Sequence, residues 1–225
     1  MARLTEDEPL PLPASRRVAP SWPGSDIVYR FSQPDPLPQK QFFEVLQARR
    51  SRTGGPIAIE QVGRILHFSM QLREQRSDGR FGFWESRTCA SAGGIHGIRV
   101  CLVPISDEKP GGFYSPDDHT LSAMQNASTV RSEATRFLRD LKLPPSGWVV
   151  QLVADVAAYS NRYLNLESLI LRDAGALCAT ISLVCEAFGE RSRLLGHLDR
   201  GIVTALDLGA NYAGVGGVHL TGSQF

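Results

Sequence analysis

With 225 residues, 42% of them hydrophobic and 21% charged, the chain has the length and balance of one globular domain with a real hydrophobic core. A formal net charge of +1 gives no electrostatic case for nucleic acid or an anionic membrane as a partner. No stretch reads as the ~20 apolar residues of a membrane helix, and the start MARLTEDEPLPLP lacks the apolar run of a secretory signal, which predicts a cytoplasmic protein.

Eight of the 14 prolines fall within the first 38 residues, so residues 1–38 are expected to form an extended, proline-rich arm without regular helix or central strand. A globular domain is expected over residues 39–225. It opens with a short helix in QKQFFEVLQARR and the loop SRTGGP. An amphipathic helix follows in IAIEQVGRILHFSMQL, where Ile59, Val62, Ile65, Leu66 and Met70 recur at helical spacing. GIRVCLVPI and GWVVQLVADVA are short apolar runs rich in β-branched residues, the pattern of buried strands. Between them lie a turn-rich hairpin, GGFYSPDDHTLSAM, and an amphipathic segment around Ser132–Leu141. The longest helix is expected from Asn165, as N-cap, to Phe188, with Gly189 as its stop, and GVGGVHL reads as a terminal strand. The interleaving predicts an α/β or α+β fold with a central sheet. Cys89, Cys101, Cys178 and Cys185 show no C-x-x-C spacing, and are read as reduced thiols rather than a disulfide or zinc framework.

Three loops hold residues suited to chemistry. Arg49, Arg50 and Ser51 end a helix ahead of two glycines, and guanidinium and hydroxyl groups recognise phosphate through paired hydrogen bonds. A solvated basic helix end explains the same residues. The loop SRTCASAGGIHG places Ser91, Gly93 and Gly94 where backbone can approach a flat ligand, or simply turn tightly into a strand. Arg162 and Tyr163 stand where a strand gives way to the long helix; a tyrosine beside a cation is a candidate proton-transfer pair, or a helix cap. No metal site is expected.

Taken in order, these segments resemble the azoline dehydrogenases of the streptolysin-synthetase (SagB) type, in the nitroreductase superfamily. The resemblance rests on RRSRTGGPIAIEQVGRIL, on RTCASAGGIHGIRVCLV against the family's R-x-x-(P/A)-S-(A/G)-G-G, and on GFYSPDDHTL. VVQLVADVAAYSNRY, the long helix, RLLGHLD and GVGGVHLTG continue it, so that it spans about Arg49 to Gly222. It implies an α+β fold with a central mixed sheet flanked by helices, FMN bound at a homodimer interface, and two-electron oxidation of thiazoline or oxazoline rings to azoles in a ribosomally made peptide. It further implies a precursor peptide and a cyclodehydratase as partners. Carried over, Arg49, Arg50 and Ser51 would hold the FMN phosphate and ribityl chain, Ser91, Gly93 and Gly94 would line the isoalloxazine, and the backbone of Gly196 would face flavin N5. The family's Lys-Tyr pair is Arg162-Tyr163 here; arginine stays protonated at ordinary pH, which leaves proton transfer to Tyr163 with Arg162 beside it. An NAD(P)H-dependent nitro, ene or quinone reductase, and a flavin-free scaffold subunit, stand as alternatives on the same fold.

Overall fold

The structure is a computed structural model and describes residues 7–12, 26–34, 37–79, 82–105, 109–198 and 200–223. Its frame is a seven-stranded sheet in the order β10-β11-β8-β5-β6-β7-β2. These strands are β2 (Ile27–Arg30), β5 (Ile98–Pro104), β6 (Gly112–Ser115), β7 (Thr120–Ala123), β8 (Trp148–Asp155), β10 (Arg191–Leu195) and β11 (Tyr212–Thr221). The expected sheet flanked by helices is present, but its strand ladders are antiparallel throughout rather than mixed. Parallel pairing among the described residues is confined to the isolated bridge Ser51–Ser192. Hairpins join β5, β6 and β7, and helical crossovers return the chain from the opposite end, so successive neighbours reverse direction.

Helices cover both faces of this sheet. Along β5 and β8 the side chains alternate between two cores. Ile98, Val100, Leu102, Trp148, Val150, Leu152 and Ala154 face one of them, with α2 (Ile59–Met70) and α5 (Glu167–Ala187). Cys101, Val103, Val149 and Val153 face the other, with α3 (Ala127–Asp140) and α6 (Arg200–Leu206). Burial on both sides is why β5 and β8 read as apolar runs, interrupted only by Arg99 and Gln151 before Asp155 ends β8, although the sheet is antiparallel. The short helix α1 (Phe42–Ala48) packs on α5 and leaves Phe42 and Phe43 exposed.

Three local readings need correction. Asn165 does not cap α5: it adopts φ 54°, Leu166 is the cap residue, and the Asn165 amide donates to the Glu8 carbonyl at 3.1 Å. The helix stop at Gly189 holds, with Gly189 N–H donating to Glu186 O and Glu190 N–H to Cys185 O, the closing pattern of a left-handed C-terminus. By length and composition α5 is apolar enough to cross a membrane, at a mean hydropathy of 1.6, contrary to the sequence expectation; here half of that window is buried within the fold. Thirdly, the stretch read as an arm contributes two strands. β2 forms the sheet edge opposite β10, from a proline-free gap between Pro23 and Pro34, and the ring of Phe31 enters the core against His119. β1 (Leu10–Pro11) pairs with β9 (Tyr163–Leu164). A hairpin not foreseen from sequence, β3 (Leu72–Gly79) and β4 (Gly82–Arg87), stands outside the main sheet. The four cysteines are free and buried, and no cluster of three or more metal-ligating side chains occurs among the described residues.

Four of the five histidines are held neutral by burial. Desolvation lowers the pKa of His67, His96 and His219, and brings His119, whose Nδ1 meets the Tyr114 hydroxyl at 2.8 Å, down to about 4. Each takes up a proton more readily in the unfolded chain. Their contribution to stability is therefore complete above the ordinary histidine pKa of 6.5 and is lost as the pH falls towards 4. The melting temperature is expected to drop steadily across that window, and His119→Asn, which tolerates the φ of 53°, is expected to flatten part of the slope. A melting temperature constant between pH 6.5 and 4 would contradict this account.

Candidate functional site

The glycine loop is organised by one buried carboxylate. Asp173, on the inner face of α5, accepts from the Ser91 hydroxyl at 2.5 Å, from Ala92 N–H at 2.9 Å and from the Tyr159 hydroxyl at 2.9 Å. The Ser91 oxygen in turn accepts from His96 N–H at 2.9 Å, and His96 Nε2 meets the Glu85 carbonyl at 3.1 Å. These bonds clamp a single 3₁₀ turn, Ala92–Gly94, between β4 and β5. Gly94 is required there twice over: its φ is +62°, and a Cβ would lie 2.7 Å from the Trp84 ring. The bare side of Gly94 is thus covered by Trp84, and the Ser91 hydroxyl is spent within the fold. Gly93 is the exposed crest of the loop.

Arg162 and Tyr163 join this loop from the opposite side. Asp155, at the end of β8, caps α4 (Val156–Ser160) by accepting from Ala158 N–H at 3.1 Å and pairs with the buried Arg99 at 3.3 Å. The chain then turns so that Arg162, only 7% exposed, donates from Nη1 to the Gly93 carbonyl at 3.2 Å. Tyr163 packs half-buried against the core beneath α5. A surface cap is thereby ruled out for Arg162. The Arg162–Gly93 hydrogen bond brings the Arg-Tyr segment and the glycine loop together.

The basic loop lies elsewhere. Arg52 N–H donates to Ser192 O at 3.0 Å and Arg191 reaches the Thr53 carbonyl at 3.0 Å, so residues 51–53 run along the outer edge of β10. Gly54 continues against β11, where a Cβ would meet the Gly222 carbonyl at 2.1 Å. Arg50 turns back onto the Gln47 and Arg49 carbonyls at 2.6 and 2.8 Å and closes the end of α1. The side chain of Arg49 makes no hydrogen bond or ion pair among the described residues, and Ser51 is exposed. Gly196 follows β10 in the open; beyond its chain neighbours, no protein atom lies within 4 Å of where its Cβ would be.

Two loci therefore exist within one chain. Ser51 bridges Ser192, which pairs with Leu220 and through it with Trp148, at the start of β8. The Gly93 loop enters the sheet where Gly97 accepts from Asp155 N–H, at the end of β8. Seven residues of strand separate these levels, roughly 23 Å at about 3.3 Å per residue. Sequence reasoning missed Asp173, Tyr159 and the Arg99–Asp155 pair. One signal was available: Asp173 interrupts the apolar run LILRDAGALCATISL on the buried face of its helix, where an acid needs partners.

No family model matches the sequence, and no curated protein matches it significantly. Solved structures do. A protein of Ralstonia eutropha JMP134 described as a nitroreductase superposes with a TM-score of 0.69 at 18% identity, over 96% of this chain and 99% of that one. A chain of the Escherichia coli microcin synthetase McbBCD complex, solved with truncated pro-MccB17 bound, gives 0.56 at 15% identity, over 87% of this chain and 77% of that one. A Desulfovibrio desulfuricans protein described as a nitroreductase, in complex with FMN, gives 0.54 at 13% identity over 83% and 88%. The chain therefore has the nitroreductase fold, an α+β fold with a central sheet between helical layers.

Removing the organising carboxylate should be costly. Asp173→Ala leaves three donors without their acceptor, each worth about 1–3 kcal/mol when buried and unmet, and is expected to destabilise the chain by about 3 kcal/mol or more. Urea unfolding measures the loss, and limited proteolysis should show new cleavage near residues 90–97. An unchanged unfolding midpoint would mean that the loop is held by other contacts.

Proposed function

We propose that the chain is an FMN-dependent oxidoreductase that oxidises thiazoline or oxazoline rings in a ribosomally made peptide. One contact on this chain carries the reading: the Arg162–Gly93 hydrogen bond, which sets the Arg-Tyr pair beside the glycine loop across 69 residues of sequence. The fold shared with an FMN-bound protein and with a chain of a microcin synthetase supports the cofactor and the substrate class. The residues present also fit the cofactor. Arg49, unpaired among the described residues, and the exposed Ser51 offer a phosphate a charge-assisted contact and a hydroxyl, while Arg50, already bound to carbonyls, adds only field. Gly93, exposed at the crest of its loop, and Gly196, with open space around it, offer backbone to a flat ring, and Ser91 and Gly94 act by holding the Gly93 loop in place.

When bound, FMN supplies the two-electron acceptor for the hydride, and dioxygen is the terminal oxidant. The chain's own residues would then position the ring and relay the accompanying proton through the Tyr163 hydroxyl, which passes its own proton to solvent as it accepts the substrate's, while Arg162 fixes the glycine loop. Since the Ser51 and Gly93 loci lie at opposite ends of β8 within one chain, a second copy would complete the site. The exposed Phe42, Phe43 and Leu46 on α1 and Leu171 on α5 supply apolar surface for it. A precursor peptide and a cyclodehydratase are the further partners this reading requires. An NAD(P)H-dependent reductase on the same fold is the second reading, favoured by the likeness to proteins described as nitroreductases.

Two measurements test the proposal. The purified protein should show flavin absorption and scatter light as a dimer, and Arg49→Ala should weaken FMN binding about ten- to a hundred-fold, the equivalent of roughly 1.5–3 kcal/mol. Retention of flavin at parental affinity would remove Arg49 from the site. Tyr163→Phe keeps the ring and loses the hydroxyl, so azoline oxidation should slow about a hundred-fold with flavin content unchanged. An unchanged rate would assign the proton to another group, and rapid bleaching of the flavin by NAD(P)H with no azoline turnover would favour the reductase.

A further inference from the structure

We infer that the edge of β9 beside Arg162 is a binding edge for an extended peptide, and that the chain's own residues 7–12 occupy it in cis. The inference rests on the proposed peptide substrate for its biological meaning, but on the observed pairing for its existence. Residues 7–12 lie as an extended segment against β9, with Leu10 opposite Leu164 and Pro11 opposite Tyr163 in antiparallel register. Leu12 N–H donates to the Arg162 carbonyl at 2.9 Å, and the Asn165 amide, turned by its φ of 54°, donates to the Glu8 carbonyl at 3.1 Å. These described contacts are made to main-chain atoms of the segment. This is strand addition, in which backbone bonds give affinity and side chains add little selection.

The sequence of the segment suits a placeholder. In an antiparallel pair, alternate residues exchange hydrogen bonds, so the Leu12 bond puts Leu10 and Leu12 at the bonding positions and Pro9 and Pro11 between them. Prolines at the outward positions cost no bond to β9 and present no donor to a further strand, which stops pairing beyond this one. The hold is also slight. Among the described residues only Leu10 and Pro11 pair in the ladder with β9, and Leu10 and Leu164 remain 54% and 53% exposed. A tethered segment of this kind competes through its high local concentration rather than through tight contacts. The edge it covers is the backbone of Arg162 and Tyr163, the former bound to the crest of the glycine loop. A peptide that displaced it would run alongside the proposed reacting centre.

The test uses the chain lacking residues 1–12 and two fluorescein-labelled probes. One is the peptide of residues 7–13; the other has threonine in place of each of its prolines. Both are expected to bind the shortened chain saturably, with Kd values within tenfold of each other, and to bind the full chain at least ten-fold more weakly. Asn165→Gly, which keeps the left-handed backbone and loses the amide, should weaken both several-fold without altering FMN affinity or the melting temperature. Absence of saturable binding to the shortened chain would overturn the inference. So would binding of the proline peptide alone, which would make the edge a latch for this segment only. Azoline oxidation is assayed separately: its absence with probe binding intact defeats the proposed function and leaves the edge standing, and the converse defeats the edge alone.

Discussion

The carboxylate of Asp173 is the point through which the rest of the locus is built. A lone acid on the inner face of an apolar helix is unfavourable unless its oxygens are met, and here they are met by a hydroxyl and an N–H of the glycine loop and by the phenol of Tyr159. The arrangement works in both directions. The loop satisfies the acid, and the acid fixes a loop whose own turn is a single 3₁₀ unit too short to hold itself. Burial and the nearby Asp173 both push the Tyr159 hydroxyl's pKa up, so it stays a donor at any pH the fold survives. With the loop fixed, the Gly93 carbonyl has a defined place, and Arg162 can be buried against it.

The two faces of the sheet carry different duties. The side covered by α2 and α5 includes the larger core, the buried tyrosines and the glycine loop, whereas the side covered by α3 and α6 holds a smaller apolar core around Phe113. Strand β11 adjusts between them. Its register shifts between Gly214 and Gly216, and the Gln151 amide, buried in β8, donates to the Gly216 carbonyl at 3.1 Å and so meets an acceptor the shift leaves to it. The distortion lies beside Leu195, the residue before Gly196, which ties the open end of β10 to the middle of the sheet.

Most of this architecture was legible in the sequence because it depends on periodicity. The apolar runs of β5 and β8, the helical spacing of α2 and the glycine stop of α5 each encode a local preference that the tertiary structure agrees with. What was illegible depends on pairing. β3 and β4 carry few apolar residues in their described parts and hold each other rather than the core, so no buried face marks them. Asn165 has the chemistry of an N-cap, yet its amide is taken by a segment more than 150 residues away, which no local rule foresees. The site was half legible for the same reason. Residue types at loop positions announced Gly93 and Arg162, but their hydrogen bond, and the acid beneath them, are long-range facts.

The four thiols described above have a bearing on chemical endurance. All are buried, and burial pushes each of their pKa values up, that of Cys178 to about 11. A thiol attacks oxidants as its thiolate, so these sulfurs are both shielded and chemically quiet. For a protein proposed to pass electrons to dioxygen, this means that the peroxide released at its own surface would find no ready cysteine target.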